Sequence, residues 1–181
     1  LITEEILNDF RKGEKYAYDL LYKSYAKGMF GICLRYTRCK DDAQDVLQEA
    51  FIKVFVHREK FQTNQSIGAW IKTITINSAL TYIKQNYKFT LVENEMKFDE
   101  IQQEQEEPRD LKEMQQKLMG ILNQLPDGYR TVFNLYVIDN LTHKEIADYL
   151  EISENTSKSQ LFKAKKMIQA IVEKEKVNYG A

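Results

Sequence analysis

Between positions 155 and 163, the side chains of Asn155, Thr156, Lys158, Ser159, Phe162 and Lys163 recur at three-and-four spacing. That spacing puts them on one side of a helix. Their types can donate to base edges and phosphates, or touch a thymine methyl. A second group, Asp45, Gln48, Glu49, Ile52 and Val56, also shares one helical side. It sets carboxylates beside two aliphatic side chains, where a solvent-facing helix would show only polar residues. Such a mixed face suits the docking of another protein. A third group is the uncharged loop FQTNQSIG and the polar stripe Thr73, Asn77, Thr81 and Lys84 that follows it, next to Trp70. Catalysis finds no comparable support: His57 and His143 stand isolated, and neither a glycine-rich phosphate loop nor a metal-ligand spacing occurs. No catalytic residue, metal or cofactor is expected.

The elements that must carry these groups are helical. Only 7 Gly and 2 Pro in 181 residues leave few sites for tight hairpins, and the 43% hydrophobic content is enough for a core. Residues 41–58 form the clearest helix. Asp41 with Gln44 resembles a capping box, and Ala43, Val46, Leu47, Ala50, Phe51, Val54 and Phe55 make a buried stripe. Residues 16–36 carry an aromatic helical pattern, and Ser66 can cap a helix over 67–86 that is apolar nearly all round and must be largely buried.

Farther along, residues 111–124 form a charged amphipathic helix that breaks at Leu125-Pro126-Asp127, because proline disfavours helical geometry in the residue before it. Val132, Phe133, Leu135, Tyr136 and Ile138 build the next helix. Thr142 and Glu145 form a capping box for a short helix to about 150, and Ser153 caps the last one, over 154–173. Ile146, Ala147, Leu150, Ile152, Leu161 and Ala164 then supply the crossing core of a helix-turn-helix. Two residues fit that motif poorly. Glu151 stands where a left-handed turn residue, commonly glycine, is wanted, and Ser157 stands at a position that packs inward.

The formal net charge of -1 hides a segregation. From Glu93 to Glu107 there are seven acidic residues against Lys97 alone. Sequence of that kind cannot bury enough apolar area to offset its ordering entropy, so residues 88–110 read as an acidic flexible linker. Two domains follow, 1–87 and 111–177. Cys33 and Cys39, six positions apart on one expected helix, would face different ways, which disfavours a disulfide and fits a reducing cytoplasm. No run approaches the roughly 18 apolar residues of a membrane span, and the acidic LITEEILNDF is no signal peptide, so no membrane insertion is expected.

Taken together, these segments resemble a bacterial RNA polymerase sigma factor of the sigma-70 family, extracytoplasmic-function (ECF) group. LLYKSYAKGMFGICLRYTRCKDDAQDVLQEAFIKVFVHREKF with SIGAWIKTITINSALTYIKQ resembles sigma region 2, and LNQLPDGYRTVFNLYVIDNLTHKEIADYLEISENTSKSQLFKAKKMI resembles region 4. The resemblance implies an all-α chain of two small helical domains, a region 2 bundle and a region 4 helix-turn-helix, that binds core RNA polymerase and promoter DNA in the cytoplasm.

By the same resemblance, Asp45, Gln48, Glu49, Ile52 and Val56 would dock on core polymerase. Gln62, Thr63, Asn64, Gln65 and Ser66, with Trp70, Asn77, Thr81 and Lys84, would capture and hold the minus-ten element; for Trp70 a core-anchor role stands beside that one. Asn155, Thr156, Lys158, Ser159, Phe162 and Lys163 would read the minus-thirty-five element, with Gln160 replacing a phosphate-binding arginine. An anti-sigma partner follows from the family alone. The competing expectation is a stand-alone helix-turn-helix regulator with an N-terminal dimerisation or sensing domain.

Overall fold

In a computed structural model of the chain, residues 2–37, 39–86 and 111–178 are described, and they are helical, with no strand among them. The expected acidic linker over 88–110 lies outside these residues. The chain divides into two compact units, Leu1–Lys88 and Phe89–Ala181.

The first unit contains α1 (Glu4–Lys12), α2 (Lys15–Tyr36), α3 (Lys40–Val56), a short 3-10 turn (Arg58–Lys60) and α4 (Ile67–Asn86). Helices α2, α3 and α4 pack on one another, with Leu21, Tyr36, Phe51, Ile71 and Ile83 fully or almost fully buried between them. Helix α4 needs this enclosure because apolar residues surround it. The two hydroxyls that it buries are both bonded: Thr75 Oγ1 donates to Ile71 O at 2.9 Å, and Ser78 Oγ accepts from Lys53 Nζ at 3.2 Å. Leaving either without a partner would cost about 1–3 kcal/mol.

Helix α1 is an addition to the helices expected from the sequence. Its signals are at its ends: the Thr3 hydroxyl accepts from Ile6 N, acidic residues open it, Arg11 and Lys12 close it, and Gly13 stops it at φ 91°. Phe10, fully buried, anchors it, a contribution of about 2 kcal/mol. The Tyr16 hydroxyl donates to Asp9 and ties α1 to α2, which pushes the Tyr16 phenol up to about 12 and holds Asp9 below its ordinary range.

The N-terminus of α3 departs from expectation. The helix begins at Lys40, and its cap is Cys39, whose Sγ accepts from Asp42 N at 3.4 Å. The Asp41–Gln44 capping box is therefore not what starts it. This also corrects the placing of the two cysteines on one helix: Cys33 is buried in α2, which ends at Tyr36, and Cys39 is exposed beyond it, both thiols free. Burial pushes the Cys33 thiol up to about 12.

The second unit contains α5 (Leu111–Asn123), α6 (Asp127–Phe133), a π-helical turn (Asn134–Ile138), α7 (His143–Leu150) and α8 (Glu154–Asn178). Leu122 and Leu125 meet Ala164 at its centre, with Phe133, Ile138 and Ile168 packed around them. The helix expected from Val132 to Ile138 is two conformations in sequence. After Phe133 the ladder widens, Asp139 N bonding back to Asn134 O at 2.9 Å, five residues away. Beneath it Arg130 is fully buried, its guanidinium 2.9 Å from Asp127 and 3.3 Å from Asn123.

Candidate docking and nucleic-acid surfaces

On α3, Asp45, Gln48, Glu49, Ile52 and Val56 are all exposed. At 3.6 residues per turn they fall within an arc of about 100°. Ile52 and Val56 are 61% and 60% exposed, unusual for aliphatic residues one turn apart on a packed helix. Phe55, expected in the buried stripe, is 37% exposed at the margin of this arc, its ring packed on Tyr18 and under the Arg58 guanidinium. Phe55 thus enlarges the apolar part of the face at the C-terminal end of α3.

Gln62, Thr63, Asn64, Gln65 and Ser66 are exposed on the loop between the 3-10 turn and α4. Both ends of that loop are fixed. Phe61 at its start is fully buried, with its ring centroid 5.4 Å from that of Trp70, and Trp70 also meets Phe10 edge-on at 6.3 Å. Ser66 caps α4, its Oγ accepting from Ala69 N at 3.4 Å, and Gln65 N bonds back to Gln62 O at 3.1 Å. Trp70 is thus half-buried in an aromatic cluster, with the contacts that a core anchor makes. Thr73, Asn77, Thr81 and Lys84 continue upward as an exposed stripe on α4. The hydroxyls of Thr73 and Thr81 donate to their own helix, to Ala69 O and Asn77 O, so outward they present acceptors and methyl groups.

The helix-turn-helix is formed by α7 and α8. The capping box is closed in both directions: Glu145 N donates to Thr142 Oγ1 at 3.2 Å, and Thr142 N donates to Glu145 Oε2 at 2.7 Å, which lowers the Glu145 carboxyl below its ordinary range. Glu151 adopts the left-handed conformation, φ 56° and ψ 42°, at a cost of about 1–2 kcal/mol relative to glycine. The expected crossing residues are in place, with Ile146, Ala147, Leu150, Leu161 and Ala164 buried.

The inward-packing Ser157 is fully buried, and it has a partner that the sequence did not suggest. His143 Nδ1, from the first turn of α7, lies 2.9 Å from Ser157 Oγ, and the imidazole is stacked on Tyr136 at 4.4 Å. Desolvation, with Lys158 nearby, lowers the His143 pKa. No local pattern marks this pair, since it joins residues fourteen apart across a turn.

Facing away from that core, Asn155, Lys158, Ser159, Phe162 and Lys163 are exposed, Phe162 at 69%. Thr156 is half-buried, its hydroxyl 2.9 Å from Ser153 Oγ at the start of the helix. Lys158 is 3.6 Å from Glu154, an exposed pair worth little and readily exchanged for a phosphate. Gln160 corrects an expectation. It is buried, its amide so close to Gly128 that a methyl added there would stand 3.1 Å from Oε1, so it is not placed where a phosphate-binding arginine would act.

The family model described as Sigma-70 region 2 matches residues 21–89, and that described as Sigma-70, region 4 matches residues 115–168. ECF RNA polymerase sigma factor SigM of Bacillus subtilis (strain 168) is 27% identical over 153 residues, covering 84% of this chain and 93% of the relative. ECF RNA polymerase sigma-E factor of Escherichia coli (strain K12) is 26% identical over 181 residues, covering 92% and 93%.

Among solved structures, the sigma factor RpoE in complex with the anti-sigma factor NepR from Bartonella quintana superposes with TM-score 0.54 at 17% identity, over 86% of this chain and 96% of that one. CnrH in complex with the cytosolic domain of CnrY gives 0.52 at 17% identity, over 93% and 95%. At such identities the structural likeness is one of fold.

Proposed function

We propose, from the premise that this chain belongs to the sigma-70 family and to its extracytoplasmic-function group, a division of labour between its exposed faces. The chain is a sigma factor: it binds core RNA polymerase and directs promoter-specific transcription initiation. In this reading the α3 face of Asp45, Gln48, Glu49, Ile52 and Val56 docks on core polymerase. The polar loop of residues 62–66 and the α4 stripe take the minus-ten strand, and α8 reads the minus-thirty-five duplex with Asn155, Thr156, Lys158, Ser159, Phe162 and Lys163.

The observation that carries this reading is the exposure of Ile52 and Val56 among carboxylates, on a helix whose other side is core. In a stand-alone regulator the same face would serve dimerisation or sensing, so reconstitution with polymerase is what separates the two readings.

Opening DNA without a fuel molecule requires base capture to offset unstacking, a few kcal/mol for an extruded base. Hydrogen bonds from the Gln62, Thr63, Asn64 and Gln65 side chains and contacts along α4 act on that scale, and polymerase supplies the rest. RNA synthesis itself is the polymerase's reaction, so the chain contributes recognition and needs no catalytic group of its own. Its place of work is that of polymerase and promoter, the bacterial cytoplasm.

The acidic sequence over 88–110 suits the basic channels of a nucleic-acid polymerase. NepR and the cytosolic domain of CnrY are bound to the similar structures; a protein of that kind covering the α3 face would keep this chain from polymerase.

The test is reconstitution. Purified chain added to a cognate core polymerase should yield transcripts from defined start sites that core alone does not make. Absence of such transcripts, with sequence-specific DNA binding by the free chain, would establish the stand-alone regulator instead.

A further inference from the structure

Helices α7 and α8 pack on each other with the apolar side chains of Ile146, Leu150 and Leu161 buried. Such contacts hold helices together but are not directional, and cores of this kind tolerate shifts before they lose cohesion. A hydrogen bond is different, because it weakens steeply with angle and distance. At this crossing a bond of that sort joins His143 Nδ1 to Ser157 Oγ at 2.9 Å.

Both ends of the bond are held. Serine has one short side-chain torsion, so the position of Oγ follows the backbone of α8 closely, and Ser157 is fully buried. The imidazole is fixed by its stack on Tyr136, 4.4 Å between centroids with planes 23° apart, and by its place in the first turn of α7. The residues next in the chain, Lys158 and Ser159, are on the exposed face. A rotation of α8 by about 20° would carry a side-chain tip about 2 Å, whereas base readout requires positioning to within about 0.5 Å.

We infer that His143 and Ser157 are positioning residues for sequence readout: their hydrogen bond, braced by Tyr136, sets the rotation of α8 and thereby how well the chain discriminates its duplex element from other DNA. The bond persists in either neutral tautomer, with Ser157 donating to Nδ1 or Nδ1–H donating to Ser157. Charged groups that act on the imidazole are Lys158, Glu154 and Lys165, all on α8. The inference rests on the reading of α8 as the duplex-facing helix, and the two can fail separately.

The experiment uses holoenzyme assembled with the full chain, and two DNA fragments: one carrying the upstream element selected by that holoenzyme from a random library, the other with that element scrambled. Ser157→Ala and His143→Ala should each lower the ratio of selected to scrambled affinity about fivefold, and the double variant should be no worse than either, as coupled partners behave. Affinity for scrambled DNA and for core polymerase should not change. His143→Asn, whose amide can occupy the place of Nδ1, should recover most of the ratio.

A ratio unchanged in Ser157→Ala, or losses equal on both fragments that follow the melting temperature, would overturn the inference and leave a merely structural bond. Lys163→Ala is the control for the underlying reading. If it too leaves both affinities unchanged, α8 is not the reading helix, and the inference falls with it.

Discussion

Glu49 and Lys53 are joined by a 2.6 Å ion pair on α3, and the same ammonium donates to Ser78 on α4 at 3.2 Å. One lysine therefore fixes a carboxylate of the outer face and satisfies a buried hydroxyl of the inner one. Replacing Lys53 with Met should leave Ser78 without that donor and lower the stability of the first unit by about 1–2 kcal/mol, measured by chemical denaturation of the full chain.

Ile52 and Val56 bury little on folding and so should be dispensable for it. Ile52→Ala with Val56→Ala should change stability by no more than about 0.5 kcal/mol yet weaken binding to core polymerase about tenfold or more, as truncation of buried interface anchors does. A fluorescence titration of labelled chain with core polymerase measures the second effect. Unaltered affinity would remove this face from the interface.

For Trp70 the expectation is reversed. Trp70→Ala should destabilise the first unit by about 3 kcal/mol, since Phe61 and Phe10 would lose their common neighbour, whereas replacing Gln62, Thr63, Asn64 or Gln65 should leave stability nearly unchanged and reduce open-complex formation. Permanganate footprinting of melted thymines alongside thermal denaturation separates the two.

The pH dependence of the second unit has two windows with the same sign. His143 has a folded pKa below the ordinary imidazole value of 6.5, so the unfolded state binds the proton first. Its contribution is fully present above about pH 6.5 and is lost as pH falls through the lower folded value. Glu145, also depressed, from 4.5, loses its contribution in a separate window at more acid pH. His143→Asn should abolish the first window and preserve the second, as followed by circular dichroism melts across about pH 2–8.

Glu151→Gly should raise stability by about 1 kcal/mol by relieving the left-handed strain without altering promoter choice, because the residue lies in the turn and away from the outward side of α8. Urea denaturation beside transcription from matched promoters is the measurement.

The helix-turn-helix was largely legible in the sequence because its signals are local: the Thr142–Glu145 box, the Ser153 cap and the three-and-four spacing of Ile146, Leu150, Leu161 and Ala164 each lie within a few residues. The α3 face was legible for the same reason. What escaped depends on contacts distant in the chain or on geometry that periodicity does not encode. Cys39 caps α3 with a sulfur, a residue type that cap rules do not name. Phe55 shares the spacing of the buried stripe but lies at its margin, packed on Tyr18 and still 37% exposed. Gln160 looks like any surface residue until Gly128 is found against it, and the pairing of His143 with Ser157 exists only once α7 and α8 have crossed. Helix α1, by contrast, has caps in Thr3 and Gly13 that are local and legible in the sequence.

The clamped ends of the loop between the 3-10 turn and α4 have a consequence for evolution. Phe61 and Trp70 hold its base and Ser66 is occupied with capping, so Gln62, Thr63, Asn64 and Gln65 form a cassette whose identity the fold does not constrain. On the proposed reading of this loop as the minus-ten contact, those four positions can change as a unit, and the preference with them, without refolding. A duplicated gene could thus acquire a separate set of target promoters through changes confined to a dozen nucleotides.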